Sequence, residues 1–210
     1  SDVCSSDLAG FTAAMSVDAL ERAGLKTGTG PVLVTGATGG VGSYAVGMLA
    51  ARGYEVVAST GKASEAEWLK SIGASEIIDR SETSVEQTKP LEKERWAGAV
   101  DCVGGNTLAY VLRTLRYGAS VAASGLTGGA NLSTTVLPFI LRGVNLLGID
   151  SVSGSMDDRK VMWKRIATDL KPSWLDTQDS VVVGLDAVEP HLDAILQGQV
   201  KSRVLVDPRI

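Results

Sequence analysis

The chain has 210 residues, 44% of them hydrophobic and 21% charged, an ordinary globular composition long enough for one large domain or one and a half. Aromatic residues are scarce at 5% and the net charge is −4, which excludes base-stacking platforms and disfavours any nucleic-acid partner. No apolar run is long enough to span a bilayer, so no membrane partner is expected. Two cysteines, Cys4 and Cys102, build no disulfide framework and fit a reducing, cytoplasmic setting. A single histidine, His191, gives a histidine-based zinc site or a Ser-His-Asp triad little to be built from, and no metal is expected.

Ser1 to Leu8 has neither the basic start nor the apolar stretch of a signal peptide. It reads as a foreign, adapter-derived leader, and the remainder is then expected to be a fragment cut upstream. From Ala9 the chain alternates helix and strand. Phe11, Met15, Val17, Leu20 and Leu25 recur at near-helical spacing, with Gly24 as a stop. The apolar strand Pro31-Val32-Leu33-Val34 ends at a glycine-rich turn, Thr35-Gly36-Ala37-Thr38-Gly39-Gly40-Val41-Gly42, and a helix-forming run from Ser43 to Arg52 follows directly. A dinucleotide pyrophosphate requires that order. The strand delivers the turn, residues without side chains let the backbone approach, and the helix N-terminus offers N–H groups to negative charge. Strand before and helix after separate this turn from a tight turn that binds nothing.

Glu55 to Ser59 is a second strand, Ser64 to Ile72 a polar helix closed by Gly73, and Glu76 to Asp79 a third strand. Arg80 to Arg95 is polar and reads as a solvated crossover. Ala99 to Val103 forms a fourth strand ended by Gly104-Gly105, with Asn106 expected to cap a helix to Leu115. Ser120 to Ser124 and Val144 to Ile149 are the fifth and sixth strands. Helical crossovers of this length predict an α/β fold, a doubly wound parallel Rossmann sheet in the order 3-2-1-4-5-6, with ligand at the carboxyl ends of the first and fourth strands. Beyond Ser151 come a helix from Met156 to Leu170, a strand at Val181 to Val183, a helix from Leu185 to Gln197 and a strand at Arg203 to Val206. This tail need not join the same sheet.

The glycine turn fits two registers. Ala37 to Gly42 is G-x-G-x-x-G with alanine first, and Thr35-Gly36 with Gly40-x-Gly42 also fits the short-chain dehydrogenase pattern. Short-chain enzymes need a Tyr-x-x-x-Lys pair, in which lysine lowers the tyrosine pKa for proton transfer. Four residues after Tyr44, Tyr54, Tyr110 and Tyr117 stand Met48, Ala58, Thr114 and Val121, so that catalytic pair is missing. NAD enzymes place a carboxylate about 20 residues past the turn to accept the ribose 2′-hydroxyl. Here that region reads Ala58-Ser59-Thr60-Gly61-Lys62, with no carboxylate until Glu65. Hydroxyls and a lysine attract a 2′-phosphate that a carboxylate would repel, which favours NADPH over NADH. A plain solvated lysine at a turn is the alternative for Lys62.

Thr35 to Gly42, Lys89-Pro90-Leu91-Glu92-Lys93-Glu94-Arg95-Trp96-Ala97-Gly98 and Pro138-Phe139-Ile140-Leu141-Arg142-Gly143 together resemble the acrylyl-CoA reductase (NADPH) family. That family is a zinc-free, quinone-oxidoreductase-like branch of the medium-chain dehydrogenase/reductase superfamily. The resemblance runs from Ala9 to Val206, and its last two segments are the distinctive ones. It implies a two-domain enzyme with a GroES-like catalytic domain, the dinucleotide fold, and a C-terminal return to the first domain. Residues 9–178 match the NADP-binding Rossmann domain and residues 179–210 the return, while the catalytic domain itself has no counterpart here.

The implied activity is NADPH-dependent reduction of the C=C bond of a 2-enoyl thioester, an acyl-CoA. A quinone or small enone substrate, and a non-catalytic NADPH-binding module, are the alternatives. The full-length protein is expected to be a homodimer, the isolated fragment inactive, and no catalytic residue is named. By the same resemblance Gly39, Gly40, Val41 and Gly42 cradle the pyrophosphate, and Ser59, Thr60 and Lys62 face the 2′-phosphate. Val103 and Gly104 lie along the adenosine-side ribose, and Ser124, Gly125 and Leu126 approach the nicotinamide by backbone atoms. Arg142 is expected to cap its own short helix ahead of meeting a CoA phosphate, Arg80 and Arg203 to be solvated ahead of contacting a phosphate, and Asp101 to hold a structural hydrogen bond. Trp68, Trp96, Trp163 and Trp174 are expected to pack in the core or at interfaces.

Overall fold

The computed structural model describes residues 2–86, 89–175 and 181–210, residues 2–7 by their backbone alone. The domain boundary expected at 178/179 lies outside the described residues. Helix α1 (Asp2–Arg22) is longer than its apolar spacing marks, its backbone being helical from Asp2. Then follow β1 (Val32–Val34), α2 (Gly40–Ala51), β2 (Val56–Thr60), a 3-10 turn (Ala63–Glu65), α3 (Ala66–Ser71), β3 (Glu76–Asp79) and α4 (Arg80–Thr83). The second half of the sheet is built from β4 (Gly98–Asp101), α5 (Gly105–Thr114), β5 (Ser120–Ala123), α6 (Leu137–Arg142) and β6 (Asn145–Gly148). After it come α7 (Met156–Ile166), β7 (Val181–Val183), α8 (Glu189–Leu196) and β8 (Val204–Val206).

Six strands pair in parallel in the order β3-β2-β1-β4-β5-β6, the doubly wound arrangement expected. The register aligns Val32 with Val56 on one side and with Gly98 on the other. Both faces are covered, so the inner strands read as continuous apolar runs. Val32, Val34, Val56, Ala58 and Val100 face a layer of α1, α2 and α7, whose Phe11, Val17, Leu20, Val46, Leu49 and Ile166 are buried against them. Leu33, Val57, Ala99 and Val121 face the opposite way, onto Leu108, Val111 and Leu112 of α5, with Leu115 just past its end and Trp96. β7 and β8 make a separate two-stranded parallel sheet. No helix of the described residues is long and apolar enough to cross a membrane.

Three local expectations are corrected. Asn106 does not cap α5: Gly104, with φ 74°, is the N-cap, because only glycine takes that conformation freely, and Asn106 is exposed inside the first turn. The Arg80–Arg95 crossover is not simply solvated. Thr83 is buried, and Glu92 accepts from Nε of the fully buried Arg113 at 2.7 Å, which needs a charged partner. Arg142 does not cap its own helix. Its guanidinium donates to the carbonyls of Arg113 (2.9 Å), Leu115 (3.4 Å) and Glu92, fastening α6 to the end of α5. The four tryptophans do pack: Trp96 and Trp174 are buried, and Trp68 and Trp163 lie against the core.

Candidate functional site

The turns after β1, β2, β4 and β5 gather at one edge of the sheet, where the strand order reverses between β1 and β4; a crevice there is where open α/β sheets take ligands. The β1 turn is shaped by close approach. Gly36 has φ 60°, and the Gly39 amide donates back to the Gly36 carbonyl at 2.9 Å. A Cβ on Gly42 would overlap the Gly36 carbonyl oxygen and sit 2.8 Å from Ala37 Cα, so the helix can lie on the turn only without a side chain there. Gly39 caps α2 in an extended conformation and offers no side chain to the first-turn amides. Those amides, at the positive end of a helix of 12 residues, form a cradle for an anion.

Asp101 ties this turn to the next. Its carboxylate accepts from Thr35 Oγ1 at 2.7 Å and from the Gly104 amide at 2.8 Å, while Thr35 Oγ1 accepts from the Cys102 amide at 3.1 Å. Burial pushes the Asp101 carboxyl above its ordinary value, and the two hydrogen bonds partly oppose that. Asp101 thus has the structural role expected of it. Beside it burial pushes the Cys102 thiol up to about 12, so it is no thiolate nucleophile. Val103 borders Gly36, and a Cβ on Gly104 would sit 2.6 Å from the Gly129 carbonyl. At the end of β5 the Ser124 amide donates to the Asp101 carbonyl, and a Cβ on Gly125 would overlap the Cys102 carbonyl. Leu126 is exposed just beyond. Val103, Gly104, Ser124, Gly125 and Leu126 therefore stand together at the rim.

At the end of β2 the arrangement differs from what the residue types alone suggest. Ser59 and Thr60 are buried, Ser59 Oγ hydrogen-bonded to Thr83 Oγ1 (3.0 Å) and Thr60 Oγ1 to Thr38 Oγ1 (3.2 Å), Thr60 also accepting the Lys62 amide (3.1 Å). Their hydroxyls are committed inside the protein. The free charge at this corner belongs to cations. Lys62 is half-buried and its Nζ donates to the Val200 carbonyl at 2.6 Å, with desolvation holding it below the ordinary lysine value. The exposed Arg80 lays its guanidinium over Gly61, where a Cβ would sit 2.6 Å from Nε.

The segment 200–203 crosses this corner, where the sequence singles out Arg203 but not Val200, Lys201 or Ser202. The Ser202 amide donates to the Thr38 carbonyl at 2.8 Å, and the Ser43 and Ser202 hydroxyls stand 3.3 Å apart. Arg203 is half-buried rather than solvated. Its guanidinium lies 4.7 Å from the Tyr44 ring centre and 5.8 Å from that of Trp174, and its buried Nε has no acceptor among the described residues. Nothing in local periodicity marks these residues, because their partners in the glycine turn and α2 lie more than a hundred positions away. Among the described residues no group of three or more His, Cys, Asp or Glu could hold a metal ion.

The family model described as zinc-binding dehydrogenase matches residues 40–168. Acrylyl-CoA reductase AcuI of Ruegeria pomeroyi is 54% identical over 200 residues, 95% of this chain and 60% of the relative. Bacillus subtilis YhfP, whose name proposes a quinone oxidoreductase, is 54% identical over 94% of this chain and 60% of its own length. Its crystal structure with NAD bound superposes with a TM-score of 0.93, covering 98% of this chain and 63% of that one. Escherichia coli YhdH with bound NADPH superposes at 0.92, with 46% identity over 97% of this chain and 62% of that one. The chain thus spans about 60% of the length of the curated relatives it matches.

Proposed function

The chain belongs to the zinc-binding dehydrogenase family, in the branch of the acrylyl-CoA reductases and quinone oxidoreductases, and on that footing we propose that it is the NADPH-binding part of an oxidoreductase that reduces the C=C bond of a 2-enoyl thioester. The observation that carries this is the start of α2, where Gly36, Gly39 and Gly42 form a cradle that side chains would fill. Gly39, Gly40, Val41 and Gly42 cradle the pyrophosphate, Gly40, Val41 and Gly42 by their backbone amides and Gly39, whose amide is taken by Gly36, by leaving room for its approach. Lys62, with Arg80 beside it, takes the 2′-phosphate, while Ser59 and Thr60 shape the turn that presents it. Val103 and Gly104 border the adenosine-side ribose, and Ser124, Gly125 and Leu126 meet the nicotinamide through backbone atoms. The half-buried guanidinium of Arg203 adds positive charge beside the cradle.

The chemistry such a cofactor supplies when bound is hydride transfer, here to Cβ of the thioester with a proton added at Cα. These residues bind and orient; none of them is assigned the proton. The family description names zinc, but the described residues offer no donor set for it, and no step here runs through a metal. Residues 9–178 would form the cofactor domain, residues 179–210 a return to a GroES-like catalytic domain, and residues 1–8 a leader. The separate β7–β8 sheet supports the C-terminal division, whereas the backbone of α1 runs unbroken across the N-terminal one. We place the whole protein in the cytoplasm, on the sparse cysteines, and as a homodimer joined along β6, one of the two edge strands of the sheet.

The test uses a protein carrying this chain together with a complete catalytic domain, offered acrylyl-CoA and a quinone with NADPH as reductant. Faster turnover of acrylyl-CoA is expected. Reduction of the quinone alone would favour the second reading, which the name of YhfP supports, and binding of NADPH with turnover of neither would favour a non-catalytic module.

A further inference from the structure

Glu65, at the end of the 3-10 turn that follows β2, is the first carboxylate after that strand, near the place where NAD-type sites put the acid that accepts the ribose hydroxyls. Left free, it would oppose a phosphate and draw on Lys62, whose charge it already influences. It is not free. Lys201 Nζ lies 3.2 Å from Glu65 Oε2 and 5.2 Å from the centre of the Trp68 ring, held between a carboxylate and an aromatic face. The segment that delivers it is docked at three further points: Val200 accepts from Lys62, Ser202 donates to Thr38, and the Ser202 hydroxyl meets that of Ser43. Ser202 has φ 51°, the one positive φ outside glycine among the described residues, and a conformation of that kind persists where the surroundings over-determine it. The other charges at the corner are accounted for. Asp79 accepts from the Ser81 amide at 2.8 Å, and Arg80 packs over Gly61.

We propose that Lys201 is a specificity-determining positioning residue for 2′-phosphorylated cofactors: by pairing with Glu65 it offsets that carboxylate's charge beside Lys62 and the phosphate position. The proposal rests on the cofactor reading above. The C-terminal segment then completes the 2′-phosphate corner from a part of the chain remote in sequence, Val200 orienting Lys62 and Lys201 masking Glu65.

The test is calorimetric titration of the chain with NADPH and with NADH, for the unaltered protein, Lys201→Gln, Glu65→Gln and the double variant. Lys201→Gln should weaken NADPH about five-fold, the scale of one exposed ion pair, with NADH unweakened. In the Glu65→Gln background the same substitution should leave the NADPH-to-NADH ratio unchanged. An equal loss for both cofactors, an unaltered ratio in Lys201→Gln, or a full loss persisting in the double variant would each overturn it. A chain that binds neither nucleotide would sink the cofactor reading as well, whereas an NADPH preference untouched by Lys201→Gln would sink the role of Lys201 alone.

Discussion

A methyl group on Gly42 would overlap the Gly36 carbonyl oxygen and crowd Ala37 Cα, both backbone atoms held by the β1 turn. The substitution Gly42→Ala should therefore push α2 off the turn, destabilising the fold by about 1–3 kcal/mol and weakening NADPH and NADH alike. Denaturant titration and calorimetry together check this, and a loss confined to one cofactor would contradict it. Asp101 carries a pH dependence. Its folded pKa is raised above the ordinary 3.8, so its contribution is fully present below that value and is lost as pH rises through the folded value. Stability of the unaltered protein relative to Asp101→Asn should accordingly fall as pH rises from about 4 towards neutrality; a flat difference would show that the carboxyl titrates normally. An acid inside the apolar run Ala99 to Val103 already signals a buried hydrogen bond, which is why its role was legible. The capping role given to Asn106 was not: a polar residue after two glycines suggests a cap, but Gly104 at φ 74° takes that place and starts the helix earlier.

Elements were the most legible level, since strands covered on both faces write themselves as apolar runs and the glycine turns mark their ends. What joins element to element was not. Arg165 of α7 donates to Asp169 at 2.6 Å, a pair that i,i+4 spacing suggests, but also to Asp18 and Glu21 of α1, each at 2.7 Å, links no spacing rule predicts. Replacing Arg165 with Met should cost about 2 kcal/mol, the scale of hydrogen bonds to charged groups, and should raise amide exchange in α7 ahead of the sheet. Unchanged stability and exchange would mean the network only decorates the surface. Arg142 teaches the same lesson. In sequence it stands in the last turn of α6, but its guanidinium reaches the carbonyls that end α5, contacts visible only once the crossover is folded.

At the scale of the whole molecule, the sheet stops at β6, with Leu146 exposed on the strand and Ile140 and Leu141 exposed on α6 beside it. An unpaired apolar edge of this kind is where a second copy would add. Sedimentation should find a dimer for the protein with a complete catalytic domain and a monomer for its Ile140→Lys/Leu141→Lys variant; a monomer in both would remove the edge from consideration. The strand order and the crevice it creates follow from the chain's alternation of helix and strand. The corner at β2 does not, because Lys62, Glu65, Val200 and Lys201 meet only through tertiary folding. Calorimetric titration of the chain with NADPH and NADH tests the central claim most directly. The cradle at Gly39 to Gly42 serves both cofactors, so preference must come from the cations at the β2 corner. One charge-assisted hydrogen bond there makes NADPH tighter by roughly ten- to hundred-fold, and Lys62→Glu should reverse the order. Equal affinity for the two cofactors, or failure to bind either, would contradict the account.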